Sequence, residues 1–180
     1  MSVEFQETEF LETVMLLERG PAVFDALLRG LPDAVVRANE GDGSWTVYEV
    51  VGHLVHCERT NWMVRARELM EHGEEHTFAP FVRAVEPVGT LGELLDQFAE
   101  ARAENLRALD GMELGPEAFA RRAQHPAFGA VTLGQLLATW ATHDLTHLHQ
   151  VSRILASRRR EDVGPWSAYL GVLQCAGHGA

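Results

Sequence analysis

The sequence has little of what builds a disulfide framework, a membrane span or a polyanion-binding surface. Its two cysteines in 180 residues, Cys57 and Cys175, are too few to staple a small secreted scaffold. No apolar run approaches the roughly 20 residues that cross a bilayer. The acidic start, Met1-Ser2-Val3-Glu4-Phe5-Gln6-Glu7, lacks the apolar stretch of a secretory signal. Positive charge is also scarce: 15 basic against 26 acidic residues give a formal net charge of −11, the wrong sign for nucleic acid or an anionic membrane surface. The one basic run, Arg158-Arg159-Arg160, is followed at once by Glu161 and Asp162 and reads as a solvated helix end. These absences lead to the expectation of a soluble cytoplasmic protein with no nucleic-acid or membrane partner.

A hydrophobic content of 46% with 23% charged residues is ordinary for a globular chain, and residues 1–180 are expected to form one domain with its own core. The periodicity is helical, and strand-like alternation is absent. Phe10, Val14 and Leu17 repeat at helical spacing until Gly20-Pro21 interrupts them. Pro21 suits the first turn of a further segment carrying Val23, Phe24, Leu27 and Leu28, so the spacing allows one kinked helix or two. Ser44 or Thr46 can cap a second helix, with Glu49 at capping-box distance from Thr46, and that helix is expected to reach about His72. Residues 77–89 contain two prolines and read as a long loop, a feature that often lies near a site. A third helix is expected from about Thr90 to Leu109. After the connector 111–129, which has room for a short helix around Pro116–Ala120, Thr132 caps a helix running to roughly Arg158. Gly164-Pro165-Trp166 begins a short last one. The expected fold class is all-α, a bundle of four main helices with a short extra C-terminal helix.

The chemistry concentrates in Trp140-Ala141-Thr142-His143-Asp144-Leu145-Thr146-His147-Leu148-His149-Gln150. At 3.6 residues per turn, Trp140, His143, His147, Val151 and Ile154 share one stripe. Two imidazoles therefore replace apolar side chains on a core-facing surface. A buried ring nitrogen needs a partner, whether a metal ion, a carbonyl or a carboxylate, and i, i+4 spacing presents two imidazoles to one ion. His53, near the margin of the apolar face of the second helix, can supply a third ligand. Three neutral imidazoles leave positions open for water or substrate, the arrangement of a catalytic zinc-type site.

The pattern Trp45-x-x-x-Glu49-x-x-x-His53-Leu54, followed far downstream by His143-x-x-x-His147-x-x-Gln150, resembles the DinB/YfiT-like family. His125-Pro126-x-Phe128-Gly129-x-Val131-Thr132-Leu133 and Gly164-Pro165-Trp166-x-x-Tyr169-Leu170 extend the similarity over most of the chain. The resemblance implies a four-helix bundle whose ligands His53, His143 and His147 hold a divalent metal, Zn2+ or Ni2+. It also implies a low-molecular-weight thiol as cofactor, a small-molecule substrate and a homodimer. Thiol S-transfer is the favoured reaction by analogy. Metal-dependent hydrolysis is the alternative, and a non-catalytic metal- or ligand-binding or stress-associated protein is the competing class.

Around those ligands, Glu49 and Asp144 are the candidate catalytic carboxylates, and Gln150 with Asp144 the candidates for orienting an imidazole. Glu49 reads equally as the capping-box carboxylate, and Asp144 as a group facing solvent or another helix. Cys57, one turn after His53, can approach the metal or simply pack as a small buried residue. His149, His72, His76 and His178 are expected at the surface, His125 belongs to the connector, and Trp62 and Trp140 read as core or dimer-contact aromatics.

Overall fold

The computed structural model describes residues 5–41, 43–83 and 86–175. Among these residues six α-helices form: α1 Glu7–Leu28, α2 Asp33–Val36, α3 Val47–Thr60, α4 Trp62–His72, α5 Leu91–Asp110 and α6 Leu133–Ser157. The bundle is built from α1, α3, α5 and α6. α1 packs on α5 and α6, and α3 packs on the other side of the same two helices. The three later bundle helices start at a threonine whose hydroxyl accepts a backbone N–H three residues on. Thr46, Thr90 and Thr132 each close a capping box, with Glu49, Glu93 and Gln135, satisfying N–H groups that the first turn would leave bare.

α1 runs through Gly20-Pro21 without a break, so this stretch is one helix rather than two. The residues found at that point explain why. Pro21 has no N–H to give the Leu17 carbonyl one turn back, and the freed oxygen accepts a 2.7 Å hydrogen bond from Arg102 Nη1 on α5. Gly20 lies against the Asp144 carboxylate, and a Cβ there would overlap it.

Three local features differ from the sequence reading. The helix expected from Thr46 to His72 breaks at Asn61, which has φ −119° and ψ −68° and separates α3 from α4. Side chains compete for backbone oxygens at this joint: Thr60 Oγ1 bonds the His56 carbonyl at 2.8 Å and Asn105 Nδ2 bonds the Glu58 carbonyl at 2.8 Å, a known cause of helix bending. The connector 111–129 forms the short helical turn expected around Pro116–Ala120, as a 3₁₀ turn, but its remainder opens an unexpected short antiparallel hairpin, β1 Arg122–His125 with β2 Gly129–Thr132. Each strand has only four residues and neither buries alternate positions, so the hairpin has no period-2 signal. Gly129, at φ 72°, supplies the left-handed turn conformation. The C-terminal helical segment takes the form of two 3₁₀ turns, Gly164–Tyr169 and Gly171–Leu173.

The core has two clusters. One surrounds Trp62, Trp140, Phe78 and Phe119; the other surrounds Phe24, Phe98, Val51, Leu54 and Ile154. Between them, polar groups are buried. Arg102, 1% exposed, reaches Glu58 at 3% and Asp144 at 5%, through bonds of 2.8 Å to Glu58 Oε1 and of 2.7 and 3.0 Å to the two Asp144 oxygens. Trp140 Nε1 adds 2.8 Å to Glu58 Oε1, and Asn105 Nδ2 adds 2.9 Å to Glu58 Oε2. This network clamps α3, α5 and α6 beside the chemistry-bearing residues. Among the described residues, no helix is long and apolar enough to cross a membrane.

Candidate metal centre

The described residues of the 77–89 loop are held over α3. Tyr48 Oη donates to the Gly89 and Pro87 carbonyls, the Pro87 ring fills the space left by Gly52, and His56 Nε2 donates to the Val82 carbonyl at 2.8 Å. His53, one turn before Cys57, donates from Nδ1 to the Arg83 carbonyl at 2.9 Å. A carbonyl only accepts, so the proton of His53 sits on Nδ1 and its Nε2 keeps a lone pair. On α6, His147 Nδ1 meets the amide oxygen of Gln150 at 2.8 Å, and by the same reasoning its Nε2 is bare.

Both lone pairs face His143 Nε2, which stands 3.1 Å from His53 Nε2 and 3.1 Å from His147 Nε2. A single N–H on His143 can serve one of them well, whereas a cation satisfies all three nitrogens. Two imidazole nitrogens on a tetrahedral zinc ion lie ~3.3 Å apart, close to the spacing of the His53–His143 and His143–His147 pairs. The donors therefore fit a divalent ion. Burial holds the imidazoles in the neutral form that ligates. It lowers His53 to about 4, with the charge of His147 adding to the effect and the Arg83 carbonyl opposing it. It lowers His143 to about 2, with the charges of His147 and His53 adding, and it lowers His147 despite the Gln150 hydrogen bond.

The expected three-histidine set needs one correction. The ligand atoms that all lie within 4.8 Å of one another belong to His53, Cys57 and His143, and His147 joins this group through His143. Cys57 Sγ is 3.3 Å from His53 Nε2 and 3.9 Å from His143 Nε2, so it belongs to the cluster as well as to the core. The signal was present in the i, i+4 step from His53, the same step that joins 143 to 147. Burial, reinforced by the charges of Glu58 and Asp144, pushes the Cys57 thiol up.

The other candidates fall as follows. Glu49 is held in its cap: its Oε2 accepts from Thr46 N at 2.7 Å and from Thr46 Oγ1 at 2.8 Å. Asp144 faces neither solvent nor an imidazole but Arg102, which clamps both its oxygens. Burial raises its carboxyl, against the lowering effect of that guanidinium. Gln150 orients His147, as expected. His53 is buried at 5% exposure rather than lying at a rim. Trp62 and Trp140 are buried and stacked, ring centroids 6.1 Å apart, and Trp62 also sets its edge against His143. His72 and His149 are exposed. His76 is half-buried, 3.3 Å from Glu68 Oε2. His125 stacks on Phe128 in the hairpin, and His178 lies outside the described residues. Sequence reasoning missed three contributors: the Arg83 carbonyl, the Arg102–Glu58–Asp144 network, and Asn61 at the helix joint.

A cavity of about 290 Å³ opens onto the cluster. Its wall includes Cys57, Asn61, Phe81, Arg83, Gln150 and Arg153 beside the three histidines. That volume is at the small end for a ligand pocket.

Comparison with known proteins agrees with this architecture. No functionally curated protein is significantly similar to the chain. Among solved structures, it is similar to YfiT from Bacillus subtilis, described as a probable metal-dependent hydrolase with an unusual four-helix bundle topology. The TM-score is 0.75 at 20% identity, over 89% of this chain and 91% of that one. It is also similar to TT2238, a four-helix bundle protein, with a TM-score of 0.54 at 26% identity over 77% of this chain and 94% of that one. Residues 16–151 match the DinB superfamily, and with most of the chain inside that match, the protein belongs to the DinB superfamily.

Proposed function

We propose that this chain is a metal-dependent enzyme acting on a small molecule, with His53, His143 and His147 as ligands and thiol S-transfer as its reaction. The observation that carries the proposal is His143 Nε2 standing 3.1 Å from both His53 Nε2 and His147 Nε2 in the cavity wall, the latter two with Nδ1 already committed to an oxygen acceptor. A divalent ion held there, Zn2+ or Ni2+, supplies Lewis acidity that lowers the pKa of a bound thiol or water. His147 is preferred to Cys57 as third ligand on geometry: its bare Nε2 stands 3.1 Å from His143 Nε2, whereas Cys57 Sγ stands 3.9 Å from that atom.

The wall of the cavity favours a thiol over water. Among the described residues it carries no carboxylate to serve as general base. Glu49 is engaged in its cap, and Glu58 and Asp144 are engaged with Arg102. A thiol, with an unperturbed pKa of about 8.5, needs less help to ionise than water does. On this reading Asp144 acts by positioning α6, and Glu49 by starting α3 so that His53 faces the cavity. The similarity to YfiT favours hydrolysis as the second reading. The homodimer belongs to the same proposal: α1 exposes Leu11, Met15, Leu16, Val23 and Leu27, an apolar face available to a second copy, and light scattering measures the mass.

The test is a panel of low-molecular-weight thiols and electrophiles assayed with the metal-loaded protein, alongside ester and amide substrates without thiol. Thiol-dependent turnover that disappears in His143→Ala supports S-transfer. Turnover without thiol supports hydrolysis. Metal and thiol binding without turnover in either arm supports the non-catalytic class.

A further inference from the structure

The cavity wall has the opposite charge character to the chain as a whole. Acidic residues outnumber basic ones by 26 to 15, yet the described wall has no Asp or Glu and carries Arg83 and Arg153 with four histidines. The two arginines are not equivalent. Arg153 is buried and tied to Glu40 by bonds of 2.6 and 3.1 Å, which neutralises it. Arg83 is exposed, its guanidinium lies over the Trp45 ring at 5.3 Å, and among the described residues it makes no ion pair and no side-chain hydrogen bond. Its backbone is nevertheless fixed, since its carbonyl takes the His53 N–H. Trp45, on which the guanidinium rests, is itself stacked on His147 with ring planes 14° apart. One residue thus orients a histidine of the cluster with its carbonyl and offers unused N–H donors beside the same cluster. A planar guanidinium fork of this kind matches a carboxylate in two parallel hydrogen bonds.

We propose that Arg83 determines the specificity of this site, and that its ligand is a small carboxylate-bearing thiol, the carboxylate received by Arg83 and the sulfur turned toward the histidines. The sulfur end rests on the S-transfer reading above; the carboxylate end rests on the wall alone. A small cavity suits such a molecule better than a peptide, and the absence of wall carboxylates removes the repulsion an anion would meet.

Cobalt(II)-loaded protein is titrated calorimetrically with 3-mercaptopropionate, with 2-mercaptoethanol and with propionate. The first two have the same thiol and spacer and differ in the carboxylate. Wild type binds 3-mercaptopropionate about tenfold more tightly than 2-mercaptoethanol, the contribution of one charge-assisted pair. Arg83→Gln removes that preference while 2-mercaptoethanol affinity and cobalt content stay as in wild type, and Arg83→Lys restores part of it. Equal affinities in wild type, an unchanged preference in Arg83→Gln, or loss of cobalt from that variant overturns the proposal. The two readings separate cleanly. Thiols that bind regardless of charge sink the carboxylate assignment and leave S-transfer standing. Propionate that binds through Arg83 while neither thiol engages the cobalt sinks S-transfer and leaves the anion site.

Discussion

Replacing Arg102 by Met tests how the protein keeps together the two helices that carry the histidine cluster. The guanidinium is 1% exposed and makes four hydrogen bonds of 2.7–3.0 Å, to the Leu17 carbonyl, Glu58 and both oxygens of Asp144. Methionine fills much of the volume but leaves two buried carboxylates without their cation. Breaking a buried pair from one side costs about 3–5 kcal/mol, a large share of the roughly 5–15 kcal/mol that holds a domain together. The cost is specific to ionised carboxylates. Burial already raises the Asp144 carboxyl above its unfolded value even with Arg102 present, and its removal raises it further. A raised carboxyl stabilises the fold below its unfolded pKa and loses that contribution as pH rises through the folded one. The deficit of Arg102→Met is therefore largest at pH 7–8 and shrinks toward pH 5. Urea denaturation of wild type and variant at pH 7.5 and 5.0 measures it, and adding Glu58→Gln and Asp144→Asn recovers most of the loss. A deficit below about 1 kcal/mol at pH 7.5, well under the range for a broken buried pair, refutes the reasoning, as does one that ignores pH.

Gln150→Leu removes the acceptor that fixes the His147 tautomer and is expected to weaken metal binding about 10- to 100-fold with little change in fold, measured by competition against a chromogenic chelator. The metal-free protein is expected to lose stability as pH falls from about 6.5, where unfolded imidazoles take up protons, because His53 and His143 stay neutral in the fold down to about 4 and about 2. Depressed folded values give stability that is present above the unfolded pKa and lost below it, by up to about 1.4 kcal/mol per pH unit for each imidazole. Asp144, whose carboxyl is raised by burial, works in the opposite direction. Denaturation of chelator-treated protein at pH 7.5, 6.5 and 5.5 follows the trend, and a flat profile contradicts the buried neutral imidazoles.

Local signals carried a good part of this architecture. The capping box at Thr46, the cap at Thr132, the His143–His147 step and the apolar stripe of α6 depend on residues within one or two turns of each other, where spacing alone decides which side chains meet. What stayed hidden depends on distant partners. The Asn61 break follows from hydrogen bonds made by Thr60 and by Asn105 of another helix. The continuity of α1 through Pro21 depends on an arginine 81 positions further along the chain taking the orphaned carbonyl. The β1–β2 hairpin is too short and too exposed to show a period. Cys57 lay in plain view at i+4 from His53, but only the approach of α6 brings it beside His143. Arg102 also left a trace, a charged residue one turn after Phe98 on the apolar stripe of α5, without any indication of which carboxylates it would meet.

The central claim is that three imidazoles from two helices hold one divalent ion. Metal content by inductively coupled plasma mass spectrometry, on protein loaded with excess zinc and then desalted, tests it most directly across wild type, His53→Ala, His143→Ala, His147→Ala and Cys57→Ala. The account predicts about one equivalent in wild type, as a single three-imidazole set requires, a comparable content in Cys57→Ala, and near-complete loss in each histidine variant. Equal metal in wild type and His143→Ala contradicts the site itself. Metal retained by His147→Ala but lost by Cys57→Ala contradicts the three-histidine assignment and gives the third position to the thiolate.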